Sequence, residues 1–170
     1  NSINSILLQK LDNQVEIIVV DDNSSDKTIF LINNIKLKKN FKLKIFQKKI
    51  NKGSGFCRKL GIKMASGYYI AFLDADDYWL ENKLTKQVKF LESKPNINFT
   101  YSDYYREINY INKSFFFKEN TPVMVNINKN KYINHIPNSS VLITSILAKK
   151  ISYPTLRVRN DFLYWNKLLC

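Results

Sequence analysis

The first ninety or so residues alternate between stretches of helical period and short, nearly continuous apolar runs. Ile3, Ile6, Leu7 and Leu11 recur at helical spacing and predict an amphipathic helix over Ser5 to Leu11, broken by Asp12-Asn13-Gln14. Val15 to Val20 (VEIIVV) is β-branched and almost wholly apolar, the pattern of a strand covered on both faces in a parallel sheet. Ser24 or Ser25 is placed to cap a helix over Lys27 to Ile35, with Asp26 in its first turn. A strand at Leu43 to Phe46, a loop at Asn51 to Gly55 and a helix at Phe56 to Ala65 follow. A strand over Tyr69 to Leu73 comes next, then a helix from Asn82 to Leu91 with Leu84, Val88 and Leu91 on one face. Strands and helices in alternation predict an α/β fold with a mostly parallel sheet.

Beyond Pro95 the texture becomes aromatic and irregular. Asn98 to Tyr105, Ser114 to Phe117 and Val123 to Ile127 read as strands of a loose meander, with a polar turn at 109–113. Lys129 to Asn134 reads as a short helix, Ser140 to Ile143 as a strand, and Ser145 to Ile151 as a helix ended by Pro154. Phe162, Trp165, Leu168 and Leu169 predict a final helix over Asn160 to Leu169, with Asn160 suited to cap it.

Composition adds bounds. The 170 residues, 45% of them hydrophobic, suffice for one core and suggest a single domain. The net charge of +13 is mostly dispersed lysine; without an Arg-rich block it argues against nucleic acid and fits a solvated surface or contact with anionic lipid. Cys57 and Cys170 match no metal or redox spacing and read as free thiols of a reducing, cytoplasmic compartment. No apolar run approaches transmembrane length, so any membrane contact is expected to be peripheral, on the inner face of the cytoplasmic membrane.

Six of the nine aspartates fall in two clusters at predicted strand ends, Asp21-Asp22 with Asp26, and Asp74, Asp76 and Asp77. The carboxyl ends of strands are where open α/β sheets bind ligands. Three crowded carboxylates call for a cation, and hard oxygen donors suit Mg²⁺ or Mn²⁺ carrying substrate phosphates. For Asp77 a role at a helix start or turn stands beside the metal role. Asp22 is placed to accept hydrogen bonds from a base or ribose. The four glycines, Gly53, Gly55, Gly61 and Gly67, lie within fifteen residues, where backbone must turn or approach something closely. Lys52 and Arg58 flank that loop-to-helix junction, which suits anions. His135, the only histidine, belongs to no histidine pair and reads as structural.

VVDDNSSD, NKGSGFCRKLGI and YYIAFLDADDYWLENKL, in that order and spacing, resemble the family-two glycosyltransferases of the GT-A type. PNSSVLITSILAKK and RVRNDFLYWNKLL resemble the acceptor side and base-bearing helix of a capsule or lipooligosaccharide branch. The resemblance implies a GT-A, Rossmann-like sheet flanked by helices, with a nucleotide-sugar half at 1–93 and an acceptor half at 94–170. It implies that Asp22 contacts the base with Asp21 supporting the strand end, and that Arg58 stands near base or diphosphate, while Lys52 joins the nucleotide-sugar site through the anion-suited junction alone. Asp74 and Asp76 match the two ends of the DXD motif, Asp74 for contact with the ribose or a metal-bound water and Asp76 as the Mn²⁺ or Mg²⁺ ligand. Asp161 takes the general-base position, preceded by Asn160 where the family commonly has Glu or Gln. The implied reaction is inverting, hexosyl-type transfer from a nucleotide-diphosphate sugar, a UDP-sugar first of all, to a saccharide or glycolipid acceptor. The resemblance also places another strand ahead of Ser2, between the strands carrying VVDD and FLDADD; without it both strands are expected to have free edges.

Two other classes share parts of this pattern. A metal-dependent nucleotidyltransferase also uses strand-end aspartates, with a Gly- and Lys-rich phosphate loop at its N-terminus. A non-catalytic carbohydrate- or membrane-surface-binding module fits the charge and the missing strand.

Overall fold

The structure, a computed structural model, describes residues 1–110 and 113–170. The chain runs α1 (Ser2–Leu7), β1 (Val15–Asp21), α2 (Thr28–Asn33), β2 (Phe41–Gln47), α3 (Ser54–Met64), β3 (Tyr69–Ala71) and α4 (Lys83–Ser93). It continues with β4 (Phe99–Thr100), β5 (Tyr104–Tyr110), β6 (Lys113–Glu119), α5 (Ile127–Asn130), a 3-10 turn (Asn138–Ser140), β7 (Leu142–Thr144), α6 (Ser145–Lys150) and α7 (Asn160–Leu169). This is the expected α/β arrangement.

β1 and β2 pair in parallel, Val15 opposite Phe41 through Asp21 opposite Gln47. β7, from the far end of the chain, runs antiparallel between β3 and β4. β5 and β6 form a separate antiparallel hairpin; the turn expected at 109–113 has its centre, residues 111 and 112, outside the described residues. Among the described residues β1 and β3 each have one hydrogen-bonded edge, and no pairing joins their sheets. That break lies where the resemblance puts a further strand.

Several local expectations give way to tertiary contacts. β1 is not covered on both faces: of its residues Ile17 and Asp21 alone are buried, while α2 leaves Phe30 and Leu31 in solvent. Neither Ser24 nor Ser25 caps α2; Asp26 accepts the Thr28 amide instead, at 2.9 Å. Val123 to Ile127 forms no strand, since Asn126 caps α5 through the Lys129 amide and Val123 projects into solvent. Asn160 does not cap α7; Arg159 holds that place in the left-handed region, φ 52°, and Asn160 turns inward.

The main core joins both halves of the chain. Trp165 and Tyr164 of α7 are fully buried against Phe72, Phe99, Ile143 and Tyr153. Phe72 and Phe99 each meet the Trp165 ring edge-on with centroids 5.5 Å apart. A smaller cluster of Trp79, Leu84, Leu91 and Leu142 is closed by Ile6 and Leu11. Here the turn after α1 supplies a remote cap, because buried Gln9 accepts the Leu84 amide at 3.0 Å and so satisfies an orphan donor at the start of α4.

The clustered glycines do approach something closely, and it is protein. A Cβ on Gly55 would stand 2.5 Å from the Pro154 carbonyl oxygen and 2.7 Å from that of Leu156. Gly53 adopts φ 87° beneath Arg157. The start of α3 is thus packed onto the segment that leads into α7. Gly61 meets only the Val20 side chain, at 3.9 Å.

Gly55→Ala is expected to destabilise the protein by about 1–3 kcal/mol, because backbone must shift to admit the methyl. Gly61→Ala is expected to stabilise it by about 0.5–1 kcal/mol through helix propensity. Urea midpoints of the two variants check the contrast in sign.

Candidate functional site

At the end of β1 two adjacent aspartates do different things. Asp21 is buried and accepts the Ser24 amide, with Asn23 in the left-handed region at φ 73°. Asp22 reaches across to the loop before α3, where one carboxylate oxygen accepts the Lys52 amide at 2.8 Å and the other the Gly53 amide at 2.6 Å. Burial, then the charge of Asp22, pushes the Cys57 thiol up to about 11, so it is an inert group beside the carboxylate. Asp22 retains acceptor capacity beyond these amides. Lys52 is exposed, its Nζ 4.9 Å from the Phe56 ring centre.

Arg58, one turn into α3, is the junction. Its Nη2 donates to Asp74 Oδ1 at 2.5 Å and its Nη1 to Asn160 Oδ1 at 2.5 Å. One planar guanidinium therefore ties the end of β3 to the first residue of α7. Burial works against its charge, but Tyr153, Asp74 and Asp161 outweigh that and raise its pKa. Asn160 has its whole amide engaged: Oδ1 also accepts from the Tyr153 hydroxyl at 3.3 Å, and Nδ2 donates to Ser54 Oγ and the Leu156 carbonyl, each at 3.0 Å.

Asp161 follows Asn160 in the first turn of α7, half-buried, and accepts from Asn134 Nδ2 at 3.2 Å. Its charge reaches Arg58 and Tyr153; burial first, with Asp161 adding to it, raises the Tyr153 hydroxyl pKa. The structure therefore joins Arg58 directly to Asp74, with the charge of Asp161 also acting on Arg58. His135 donates its backbone amide to Asn130 Oδ1 at 3.0 Å.

The acidic turn after β3 is held by the segment before β7. Asn138 Nδ2 donates to Asp74 Oδ1 at 2.9 Å, and Ser139 Oγ accepts the Asp74 amide at 3.0 Å. That same hydroxyl donates to Asp77 Oδ2 at 2.5 Å. Three side chains spaced by four residues fix the segment in turn: Trp79 Nε1 donates to the carbonyl of Ser139 at 2.7 Å, Gln87 Nε2 to Ser140 at 2.9 Å, and Lys83 Nζ to Val141 at 3.4 Å. Lys83 also lies 4.3 Å from the Trp79 ring centre, and burial pushes its pKa down to about 7.

This division changes the reading of the cluster. Asp74, Asp76 and Asp77 do not converge, and among the described residues no group of three or more His, Cys, Asp or Glu is arranged to hold a metal ion. Asp77 is a turn residue, not a helix-start charge, since α4 begins at Lys83. Asp76 is exposed and makes no hydrogen bond among the described residues. A single free carboxylate beside a strand end fits a hard cation held chiefly by substrate phosphates, the mode typical of Mg²⁺.

Asn138, Ser139 and Tyr153 were not singled out by sequence reasoning, and Asn160 was read as a cap rather than as an inward-turned partner of Arg58. Their roles come from contacts 64, 65 and 102 residues away along the chain for Asn138, Ser139 and Asn160, and local pattern carries no such signal. The nearest hint was the polar Asn138-Ser139-Ser140 between Pro137 and an apolar strand.

Comparison with known proteins shows the family and the fold. The family model described as Glycosyl transferase family 2 matches residues 1–145. WfaP of Escherichia coli, a UDP-Glc:alpha-D-GlcNAc-diphosphoundecaprenol beta-1,3-glucosyltransferase, is 34% identical over 169 residues, covering 99% of this chain and 63% of its own length. WfgD of Escherichia coli, which has the same description, is 34% identical over 168 residues with 99% and 63% covered. The chain thus spans just under two thirds of these relatives. The crystal structure of S. aureus TarS 1-349 superposes with a TM-score of 0.75 at 21% identity, over 99% of this chain and 50% of that one, and shares the GT-A fold.

Arg58→Gln is expected to lower stability by about 2–3 kcal/mol, because Asp74 and Asn160 lose a charged donor in a mostly dry place. Arg58→Lys should recover only part, since an ammonium lacks the planar fork. Urea denaturation orders the three proteins. Lys83 gives a pH signature: between pH 7 and about 10 the unfolded chain holds its lysine proton and the folded chain releases it, so this residue makes stability rise with pH. Lys83→Met should flatten the rise in urea midpoint between pH 7 and 9.

Proposed function

The chain belongs to glycosyl transferase family 2, and from that premise we propose that it transfers a sugar from a nucleotide-diphosphate donor to a saccharide or glycolipid acceptor in surface-polysaccharide synthesis. The observation that carries this reading is the Arg58 fork, which joins the strand end bearing Asp74 to the helix start bearing Asp161. A donor laid along the β1 and β3 ends is then within one site with a candidate base. The donor class extends to this chain what the relatives' descriptions say of them: UDP-Glc, and a GlcNAc carried on diphosphoundecaprenol.

In this mechanism Asp22 receives the base, Asp21 keeps the strand end rigid, and Lys52 and Arg58 lend positive charge to the diphosphate side. Asp74, held by Arg58 and Asn138, faces the ribose side. Asp76 would hold Mn²⁺ or Mg²⁺, which when bound neutralises charge on the departing diphosphate. Asp161 accepts the proton of the acceptor hydroxyl as that oxygen bonds the anomeric carbon and the bond to the diphosphate breaks from the opposite face. The outcome is inversion, and a β-linkage is what inversion gives from an α-linked nucleotide sugar. Asp161 stands in the first turn of α7, beside the residue that Arg58 holds.

The two halves of the chain act as one domain, 1–93 on the donor side and 94–170 on the acceptor side, a reading supported by β7 lying between β3 and β4. No helix among the described residues is long and apolar enough to cross a membrane. A lipid-linked acceptor would be met by peripheral contact at the cytoplasmic face, favoured by the net charge of +13.

Asp161→Asn is expected to reduce sugar transfer from UDP-glucose to a lipid-linked GlcNAc by about 10²–10⁴-fold, with UDP affinity by calorimetry unchanged. Transfer at the unaltered rate would remove Asp161 from its role. Release of pyrophosphate instead of UDP would favour nucleotidyl transfer.

A further inference from the structure

The hydrogen bond from Asn134 Nδ2 to Asp161 Oδ2, 3.2 Å long, brings two short stretches of like composition to the candidate base. Lys131-Tyr132-Ile133 leads into Asn134, and Arg157-Val158-Arg159 leads into α7 and Asp161 itself. The apolar side chains of both stand in solvent, Tyr132 81%, Ile133 62% and Val158 75% exposed. Lys131, Arg157 and Arg159 are exposed too and enter no ion pair among the described residues; Arg157 has a neutral contact, to Asn51 Oδ1 at 3.4 Å. From residue 120 to residue 160 the sequence carries six Lys or Arg and no Asp or Glu. Resting on the sugar-transfer reading, we propose that this rim docks on an anionic phospholipid bilayer and sets Asp161 at the level of the headgroups, where a lipid-linked acceptor presents its sugar.

Apolar side chains scattered singly over a surface are ordinary, and dispersed lysine is ordinarily a solvated face. Here the two kinds alternate within short stretches on both sides of one carboxylate. Apolar groups set among cations are the composition of segments that lie in a bilayer interface, where the apolar groups enter the acyl boundary and the cations stay with the phosphates. Tyrosine suits that level, because its ring is apolar and its hydroxyl wet. A nucleic acid would use the cations but leave Ile133 and Val158 in water. With no acidic residue over 120–160, anionic headgroups meet no like charge in this stretch before Asp161. The other end of the sheet supplies a contrast. Ile146 is 79% exposed and close in sequence to Lys149 and Lys150, yet its neighbour Ser145 donates its amide to the Tyr68 carbonyl before β3, at the end away from Asp74.

Tryptophan placed on the surface reads which face meets the bilayer, since Trp79 and Trp165 are buried and their emission is subtracted as a constant background. With phosphatidylglycerol vesicles the emission of Ile133→Trp is expected to shift to the blue while that of Ile146→Trp stays at its aqueous wavelength; phosphatidylcholine vesicles should shift neither. Ile133→Ser is expected to weaken partitioning onto phosphatidylglycerol vesicles by about tenfold, the loss of part of one buried aliphatic side chain. Lys131→Gln is expected to weaken it by about fivefold. An equal shift at both tryptophans, or one at Ile146→Trp alone, is general adhesion of a basic protein and overturns the proposal. Emission of Ile133→Trp that is already blue without vesicles means that polypeptide covers the rim, and overturns it as well, as does failure to bind either vesicle. If Ile133→Trp shifts as expected but the unaltered protein transfers no sugar to a lipid-linked acceptor, the docking surface stands and the sugar-transfer reading falls, an outcome distinct from the others.

Discussion

The double donation of Arg58, to Asp74 on one side and Asn160 on the other, is the constraint on which the rest of the site depends. A guanidinium sunk beside Tyr153 is costly to bury unless its donors are met. Asp74 supplies the opposite charge and Asn160 a neutral acceptor. Because these two partners belong to the end of β3 and the start of α7, satisfying one side chain also fixes the distance between the donor-side turn and Asp161. The geometry of the proposed reaction is thus a by-product of electrostatic necessity within the fold.

Other features serve that junction. Gly55 lets α3 lie against the Pro154 and Leu156 carbonyls, which brings Arg58 within reach of α7. Trp165 and Tyr164, fully buried, anchor α7 from its other face. On the opposite flank the Trp79, Lys83 and Gln87 side chains hold three successive carbonyls and thereby the Asn138 and Ser139 groups that shape the acidic turn. Packing settles where the helices lie, and a handful of polar contacts settles where the carboxylates point.

The alternation of apolar runs and helical periods was enough to read the α/β class, and the strand-end aspartates are what pointed to the proposed site. Motif resemblance brought Asp74 and Asp161 together before any coordinates did, and Arg58 is now the physical reason. What local pattern missed is of one kind. Asn160 has the chemistry of a cap and Ser24 that of another, yet the first turns inward to Arg58 and the second donates its amide to Asp21. Short polar side chains hydrogen-bond to whatever lies nearest, and what lies nearest is decided by residues far away in sequence. The three acidic residues after β3 were already divided by motif resemblance, but the hydrogen bond that Ser139, from the other half of the chain, gives Asp77 had no local signal. β1 reads as doubly covered because its composition is apolar, whereas coverage depends on neighbours, and α2 turns Phe30 and Leu31 to solvent.

The central claim is that one nucleotide sugar occupies the strand ends of β1 and β3 while Asp161 faces its anomeric carbon. A crystal structure of the protein with a non-hydrolysable UDP-sugar and Mn²⁺ tests it most directly. The account predicts the uracil at Asp22, Mn²⁺ bridging the diphosphate to Asp76, and the Asp161 carboxylate on the face of the sugar opposite the leaving group, with the Arg58 fork intact. A nucleotide bound away from these strand ends, or Asp161 on the same face as the diphosphate, would contradict it.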